Sequence, residues 1–265
     1  MRYLILYFKG MLMGAADLVP GVSGGTLALI TGIYREFLES INNVSFDNLK
    51  FARKQGIKAS WKKINGPFLL AVFGGIFTSI LLFSRMLEWL IKNEPLALWS
   101  FFFGLLVASI IYLFKSELSF NFPNFFYLAI GALISFLVTQ LNGSENHTSL
   151  WYLFLSGFIG ISAMILPGLS GAYILVVMGV YETILSNVRL AQDLVFNFDQ
   201  AQFIKTASVL GIFILGIIVG LKVFSKSLSW LLIRYPEKSI AFLVGLMIGA
   251  LHKIWPWQNT LSDPF

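Results

Sequence analysis

Two Pro-Gly-x-Ser-Gly breaks interrupt apolar sequence in this chain, one in each half: Pro20-Gly21-Val22-Ser23-Gly24 and Pro167-Gly168-Leu169-Ser170-Gly171. The match runs on past each break, because Gly32 and Tyr34 recur as Gly179 and Tyr181 at the same offset of 147 residues. Proline and glycine end one helix and open another, leaving backbone polar groups that hydrocarbon does not satisfy. A membrane chain accepts such a break where it is buried in protein or lines a cavity, as in transporters built from internal repeats.

Composition places the surrounding sequence in a membrane. Of 265 residues, 57% are hydrophobic and 12% charged, and the mean hydropathy is +0.78, far from the balance of a soluble domain. The absence of cysteine excludes disulfides and thiolate metal sites. Only His147 and His252 offer imidazole, no His/Asp/Glu cluster is repeated, and neither a metal nor a cofactor is expected. The pI near 9.5 reflects bases concentrated in loops, which orient a chain in a bilayer, and no nucleic-acid partner is expected. Lys9 interrupts the first apolar run and no small-residue cleavage site follows, so the first helix is expected to be retained.

A spanning helix needs roughly 20 apolar residues, and stretches of that kind cover 66-91, 96-114, 124-141, 204-224 and 239-255. The regions 3-41 and 148-188 read instead as hairpins of two half-helices that enter and leave on one side. A second signature supports duplication: Phe83-Ser84-Arg85-Met86-Leu87-Glu88-Trp89-Leu90 resembles Phe224-Ser225-Lys226-Ser227-Leu228-Ser229-Trp230-Leu231. Each is followed by a proline, Pro95 or Pro236, and then by Gly104-Leu105 or Gly245-Leu246, now at an offset of 141. The second half is shorter where the first carries its basic 42-65 segment, whose bases are expected to orient the chain in the bilayer, with a helix lying on the headgroup surface as the alternative.

The expected fold is an all-α polytopic membrane protein of two inverted repeats, each a broken re-entrant helical hairpin plus transmembrane helices. A single transmembrane domain covers 1-265, with a first repeat over 1-122 and a second, including a linking span, over 123-265. Three spans separate the hairpins, and an odd number turns the second one over. Arg2, Lys9, Lys50, Arg53, Lys54, Lys58, Lys62, Lys63, Lys115, Lys222, Lys226, Arg234 and Lys238 then share one side, which the positive-inside rule makes cytoplasmic. Trp89, Trp99, Trp151, Trp230, Trp255 and Trp257 are expected to face lipid or headgroups.

A helix that starts at a break exposes unpaired N–H groups and the positive end of its dipole. Two such ends pointing inward from opposite faces attract an anion, above all a phosphate. The candidate binding residues are Gly21, Ser23, Gly24, Gly25 and Thr26 in the first copy and Gly168, Ser170 and Gly171 in the second. The plainer alternative is a pair of kinks whose Ser and Gly merely satisfy broken backbone. Asp17 is an ionisable group at membrane depth, suited to binding a coupling proton or cation such as sodium or to gating the site, or else to capping a helix or pairing with a base. Its counterpart is Met164. Arg85 and Lys226 are equivalent positions, placed to pair with a phosphate headgroup in each leaflet or to snorkel, and Glu88 is near enough in sequence to pair with Arg85. Ser23 or Ser170 as a nucleophile lacks a nearby base, so the chain does not read as an enzyme. Asn43, Asn142 and Asn146 match a glycosylation pattern that matters only in a glycosylating secretory pathway.

Gly14-Ala15-Ala16-Asp17-Leu18-Val19-Pro20-Gly21-Val22-Ser23-Gly24-Gly25-Thr26 with Gly32-Ile33-Tyr34, and Met164-Ile165-Leu166-Pro167-Gly168-Leu169-Ser170-Gly171 with Gly179-Val180-Tyr181, resemble the bacterial polyprenyl-phosphate transporters of the PopT type, formerly a domain of unknown function. The resemblance covers essentially the whole chain. It implies a protein of the bacterial cytoplasmic membrane that returns undecaprenyl phosphate, the carrier of cell-envelope polymer precursors, from the outer to the cytoplasmic leaflet. The family often continues Gly-Ser where this chain has Gly171-Ala172, which removes one hydroxyl donor and leaves the backbone donors. A secondary transporter of a small soluble anion on the same hairpins is the alternative, and an intramembrane lipid phosphatase a third.

Overall fold

The structure is a computed structural model that describes residues 1–19, 22–119, 121–141, 143, 149–196 and 198–257. It is all-helical, with no strand among the described residues. The first half runs α1 (Arg2–Asp17), α2 (Gly24–Ile30), α3 (Tyr34–Asn43), α4 (Phe46–Gln55), α5 (Ile57–Lys63), α6 (Gly66–Asn93) and α7 (Pro95–Glu117). After α8 (Phe122–Thr139) come α9 (Leu150–Ile165), α10 (Gly171–Val177), α11 (Tyr181–Phe196), α12 (Gln200–Arg234) and α13 (Pro236–Ala250). Proline in the first turn opens α6, α7, α8 and α13, where its missing N–H has no intrahelical partner to lose.

Four helices, α6, α7, α8 and α12, are long and apolar enough to cross a membrane, and α10 with α11 makes a fifth if that bent pair is one span. The protein is therefore a multi-pass membrane protein. Its outward faces carry residues such as Leu81, Phe101, Phe125 and Ile218, exposed as lipid-facing side chains are. The centre lies around α13, whose Leu243, Val244, Leu246 and Met247 are fully buried.

Three features differ from expectation. The apolar stretch 239-255 is not one helix: α13 stops at Ala250 and residues 251–254 turn, so its 15 residues extend only about 22 Å. The basic segment forms two short helices, since Gly56 adopts φ +87 between α4 and α5; Asn48 and Ser60 exchange hydrogen bonds that fold one onto the other. Trp99 is only 4% exposed and points into the core, because α7 packs against α2, α6 and α13. The other five tryptophans of that set are exposed as expected.

Close helix pairs repeat between the halves. In α1/α6, a Cβ on Gly10 would lie 2.2 Å from the Val72 carbonyl oxygen, and one on Gly75 2.0 Å from that of Tyr7. In α9/α12, a Cβ on Gly157 would lie 2.3 Å from the Phe213 oxygen and one on Gly216 2.1 Å from that of Phe154. Every residue of the second set matches the first at the offsets of the two signatures. A third pair, α8/α13, is built the same way: a Cβ on Gly131 would lie 2.2 Å from the Phe242 oxygen, and one on Gly245 2.2 Å from that of Leu128. Only glycine permits such backbone approach, which is how membrane helices gain packing without a hydrophobic driving force.

Candidate functional site

Each hairpin bends twice, not once. After the Pro-Gly break, α2 and α10 run only seven residues each before a second turn at Gly32 and Gly179. These glycines have φ +75 and +66, and the following amides close back on the Ala28 and Leu175 carbonyls at 3.0 Å. That bond is the left-handed glycine stop of a helix C-terminus, which explains why a glycine recurs at this offset. Beyond it, α11 leaves α10 at 109°. In the first hairpin α2 runs back alongside α1, since Lys9 donates to the Thr31 carbonyl and Arg2 pairs with Glu36 at 2.6 Å.

The two tips meet. Ser23 donates to the Leu166 carbonyl at 3.1 Å, with the Met164 carbonyl at 3.3 Å as the alternative acceptor. Gly168 donates its amide to Thr26 Oγ1 at 3.2 Å. Tyr34, buried at 2% exposure, donates its hydroxyl to the Ile165 carbonyl at 3.0 Å. A Cβ on Gly25 would lie 2.4 Å from that same oxygen. Gly168, at φ +82, packs its α-carbon against the α13 backbone at Leu246 and Met247, where a Cβ would lie at 2.8 Å. Ser23, Gly24, Gly25, Thr26, Gly168, Ser170 and Gly171 are thus gathered at one junction. Pro20 and Gly21 lie outside the described residues, as do Asn142, Asn146 and His147.

The tips differ in what occupies their amides. At the start of α2, Gly24 donates to Asp17 Oδ1 at 2.7 Å, Gly25 to Ser23 Oγ at 3.1 Å, and Thr26 to the Ser23 carbonyl at 2.9 Å. Asp17 therefore caps the first tip, and it has no basic partner among the described residues. At the start of α10 the position of Asp17 is taken by Met164, which has no such acceptor. Ser170 Oγ accepts the Tyr173 amide at 3.4 Å, while the amides of Gly171 and Ala172 have no partner among the described residues. These residues border a cavity of about 240 Å³ that Asp17, Val22, Met164 and Ser170 also line.

Arg85 and Lys226 are not at this junction. Both are exposed on their helices without a hydrogen bond or ion pair among the described residues. Glu88 does not pair with Arg85: it pairs with Lys92 one turn on, at 2.8 Å, the geometry in which acid precedes base by four residues. Sequence reasoning counted Lys222 only among the bases of one side; it donates to the Ile41 and Asn42 carbonyls at 2.8 and 3.1 Å and so ties the end of α3 to the other half. It also left Tyr34 as part of a signature without a role, although its recurrence with Gly32 was a signal.

Broken helices meeting tip to tip inside a bundle of membrane-crossing helices define the class of multi-pass membrane transporters. Residues 13–264 match the family model described as VCA0040-like: Undecaprenyl phosphate translocase-like, and the chain belongs to that family. It is 43% identical over 262 residues to the Polyprenyl-phosphate transporter of Vibrio cholerae serotype O1 (strain ATCC 39315 / El Tor Inaba N16961), covering 99% of this chain and 80% of that protein. It is 29% identical over 264 residues to the Polyprenyl-phosphate transporter of Staphylococcus aureus (strain NCTC 8325 / PS 47), covering 95% of this chain and 86% of that one. No solved structure gives a significant match. Family membership makes the chain a transporter rather than an enzyme.

Proposed function

We propose that the protein moves undecaprenyl phosphate, or a related polyprenyl phosphate, from the outer to the cytoplasmic leaflet of the bacterial cytoplasmic membrane, returning the carrier for cell-envelope polymer synthesis. The observation that carries the reading is the junction of the tips, where a cavity is bordered by the Gly171 and Ala172 amides and by Ser170. A phosphate leaving the headgroup layer loses its hydration, a cost that oriented backbone donors offset without carrying charge themselves. The Ser23 hydroxyl is bonded across the junction and the Gly24, Gly25 and Thr26 amides within the first tip, so the second tip takes the phosphate first and the first tip joins as the junction opens. Gly21, outside the described residues, remains a candidate phosphate contact from its sequence alone.

Inverted repeats, 1-122 and 123-265, supply the alternation. The first hairpin opens toward Arg2 and Glu36, and its α3 docks on Lys222 and Ser225 in the later part of α12, which leads to the start of α13. The second opens toward the other end of α8, where Tyr173 donates to the Thr139 and Leu141 carbonyls. Opposite mouths support opposite orientation. Arg85 and Lys226, exposed and unpaired among the described residues, would collect headgroups, one in each leaflet. A phosphate beside Asp17 places like charges together at low dielectric, and a proton or sodium ion carried on Asp17 would remove that repulsion.

Reconstitution in liposomes with a polyprenyl phosphate in one leaflet tests the reading. Gradient-dependent transfer to the other leaflet is expected. Uptake of soluble phosphate without lipid transfer, or phosphate release abolished by Ser23→Ala, would replace it with an anion carrier or a lipid phosphatase.

A further inference from the structure

The three glycine-packed pairs leave a gap between α12 and the α8/α13 pair, and that gap holds a cavity of about 700 Å³. Its α12 wall runs from Phe224 to Leu231, a length of about 10 Å at the helical rise, and continues to Tyr235 in the turn that follows. Leu166 closes its deep end, and the Leu166 carbonyl is the one that accepts the Ser23 hydroxyl. The cavity therefore begins at the tips and ends where α12 turns into α13.

At the shallow end stands Lys238. Its Nζ lies 5.7 Å from the Tyr127 ring centre and 5.5 Å from that of Tyr235, contacts that fix a cation on aromatic faces without neutralising it. The neighbouring acid is turned away, since Glu237 accepts hydrogen bonds from Ser119 and Asn124. Lys238 has no carboxylate partner among the described residues. Nor is it inherited from the duplication, because the matching position in the first half is Ala97. An apolar wall with one uncompensated cation at its interfacial end is complementary to an amphipathic molecule with one apolar chain and a compact terminal anion.

We propose that this gap is a lateral docking site for the polyprenyl monophosphate, with its isoprenoid chain along α12 between Leu231 and Phe242 and its phosphate on Lys238 between Tyr127 and Tyr235. The proposal rests on the function argued above for the identity of the lipid, and it adds where the lipid stands before or after the tips hold its headgroup. By the charge distribution this end is cytoplasmic, so the site serves the inner leaflet.

The test uses the full chain in micelles with a polyprenyl monophosphate bearing a diazirine in its isoprenoid segment. Adducts are expected on residues 224–242. Lys238→Gln should raise the half-saturating lipid concentration about tenfold, the loss of one charge-assisted contact, with Lys238→Arg near wild type and binding of the uncharged polyprenol unchanged. Leu231→Trp, at a partly exposed position that tolerates bulk, should block labelling. Adducts elsewhere, equal effects on polyprenol, or competition by phosphatidylglycerol as strong as by the monophosphate would overturn the site, the last by making it an ordinary phospholipid contact. The two proposals fail separately. Labelling of residues 224–242 without transfer between leaflets sinks the transport reading alone; transfer unchanged in Lys238→Gln and Leu231→Trp, without adducts, sinks the docking site alone.

Discussion

Thr26→Val isolates the bond that crosses between the tips. Valine has nearly the shape of threonine, so no cavity opens, but it removes the oxygen that accepts the Gly168 amide at 3.2 Å. Thr26 is 1% exposed, so water has no access to take over. A buried donor left unpaired costs about 1–3 kcal/mol, which shifts the balance between joined and parted tips by roughly 5- to 150-fold. Amide exchange reads that balance at the bond itself, because a protected N–H exchanges in proportion to its open population. In protein labelled with ¹⁵N-glycine, Gly168 should exchange faster in Thr26→Val by that factor, while Gly245 and Gly131, in the separate α8/α13 pair, keep their rates. Thr26→Ser retains the oxygen and should restore protection. Unchanged exchange at Gly168 in Thr26→Val, or acceleration of all three glycines together, would refute the reasoning.

Gly75→Ala and Gly216→Ala each drive a methyl to 2.0 and 2.1 Å of a backbone oxygen, and should lower the unfolding temperature by the equivalent of about 1–3 kcal/mol, whereas Gly211→Ala, with open space around it, should be neutral or slightly stabilising. Asp17→Asn keeps an oxygen for the Gly24 amide and should fold normally, yet transfer between leaflets should lose its dependence on an imposed proton or sodium gradient; a retained dependence would remove Asp17 as the coupling group. At the loop end of α13, hydrogen bonds from Ser119 and then Asn124 hold the Glu237 carboxyl below its ordinary value of 4.5. A lowered folded-state value stabilises the fold above that pH and loses the contribution as pH falls through it. The difference in unfolding temperature between wild type and Glu237→Gln should accordingly shrink on acidification below 4.5, and a constant difference would count against the assignment.

The breaks and most spans were legible because they are local: proline, glycine and hydropathy act over a few residues. The same holds for the halves, since Gly10 and Gly75 recur as Gly157 and Gly216 at the signature offsets, a pattern carried by the amino-acid sequence alone. What escaped depends on distance. Ser23 meets Leu166 across 143 residues, and Lys238, Tyr127 and Tyr235 converge from two helices and a turn, with no spacing rule to announce them. Trp99 went inward because it lies on the face of α7 that packs against α2, α6 and α13, which composition does not report. The end of α13 was misjudged because an apolar count treats Leu251 and Ile254 as helix even where His252, Lys253 and Pro256 make a turn more favourable.

The contacts also separate what is rigid from what is free to move. In α1/α6, α9/α12 and α8/α13, carbonyl oxygens stand where any side chain would collide, so sliding one helix on its partner strips close packing along its whole length. The junction of the tips is different in kind, a handful of hydrogen bonds at a helix break, each worth about 0.5–1.5 kcal/mol net. The gap between α12 and α13 is looser still, holding about 700 Å³ of space instead of interlocked backbone. Motion that conserves the strong contacts therefore turns whole pairs about the tips and widens or closes that gap. Such a motion is what alternating access of the proposed kind requires. It also links the cavity beside α12 to the proposed phosphate site through Leu166, the residue that lines one and accepts a hydrogen bond in the other.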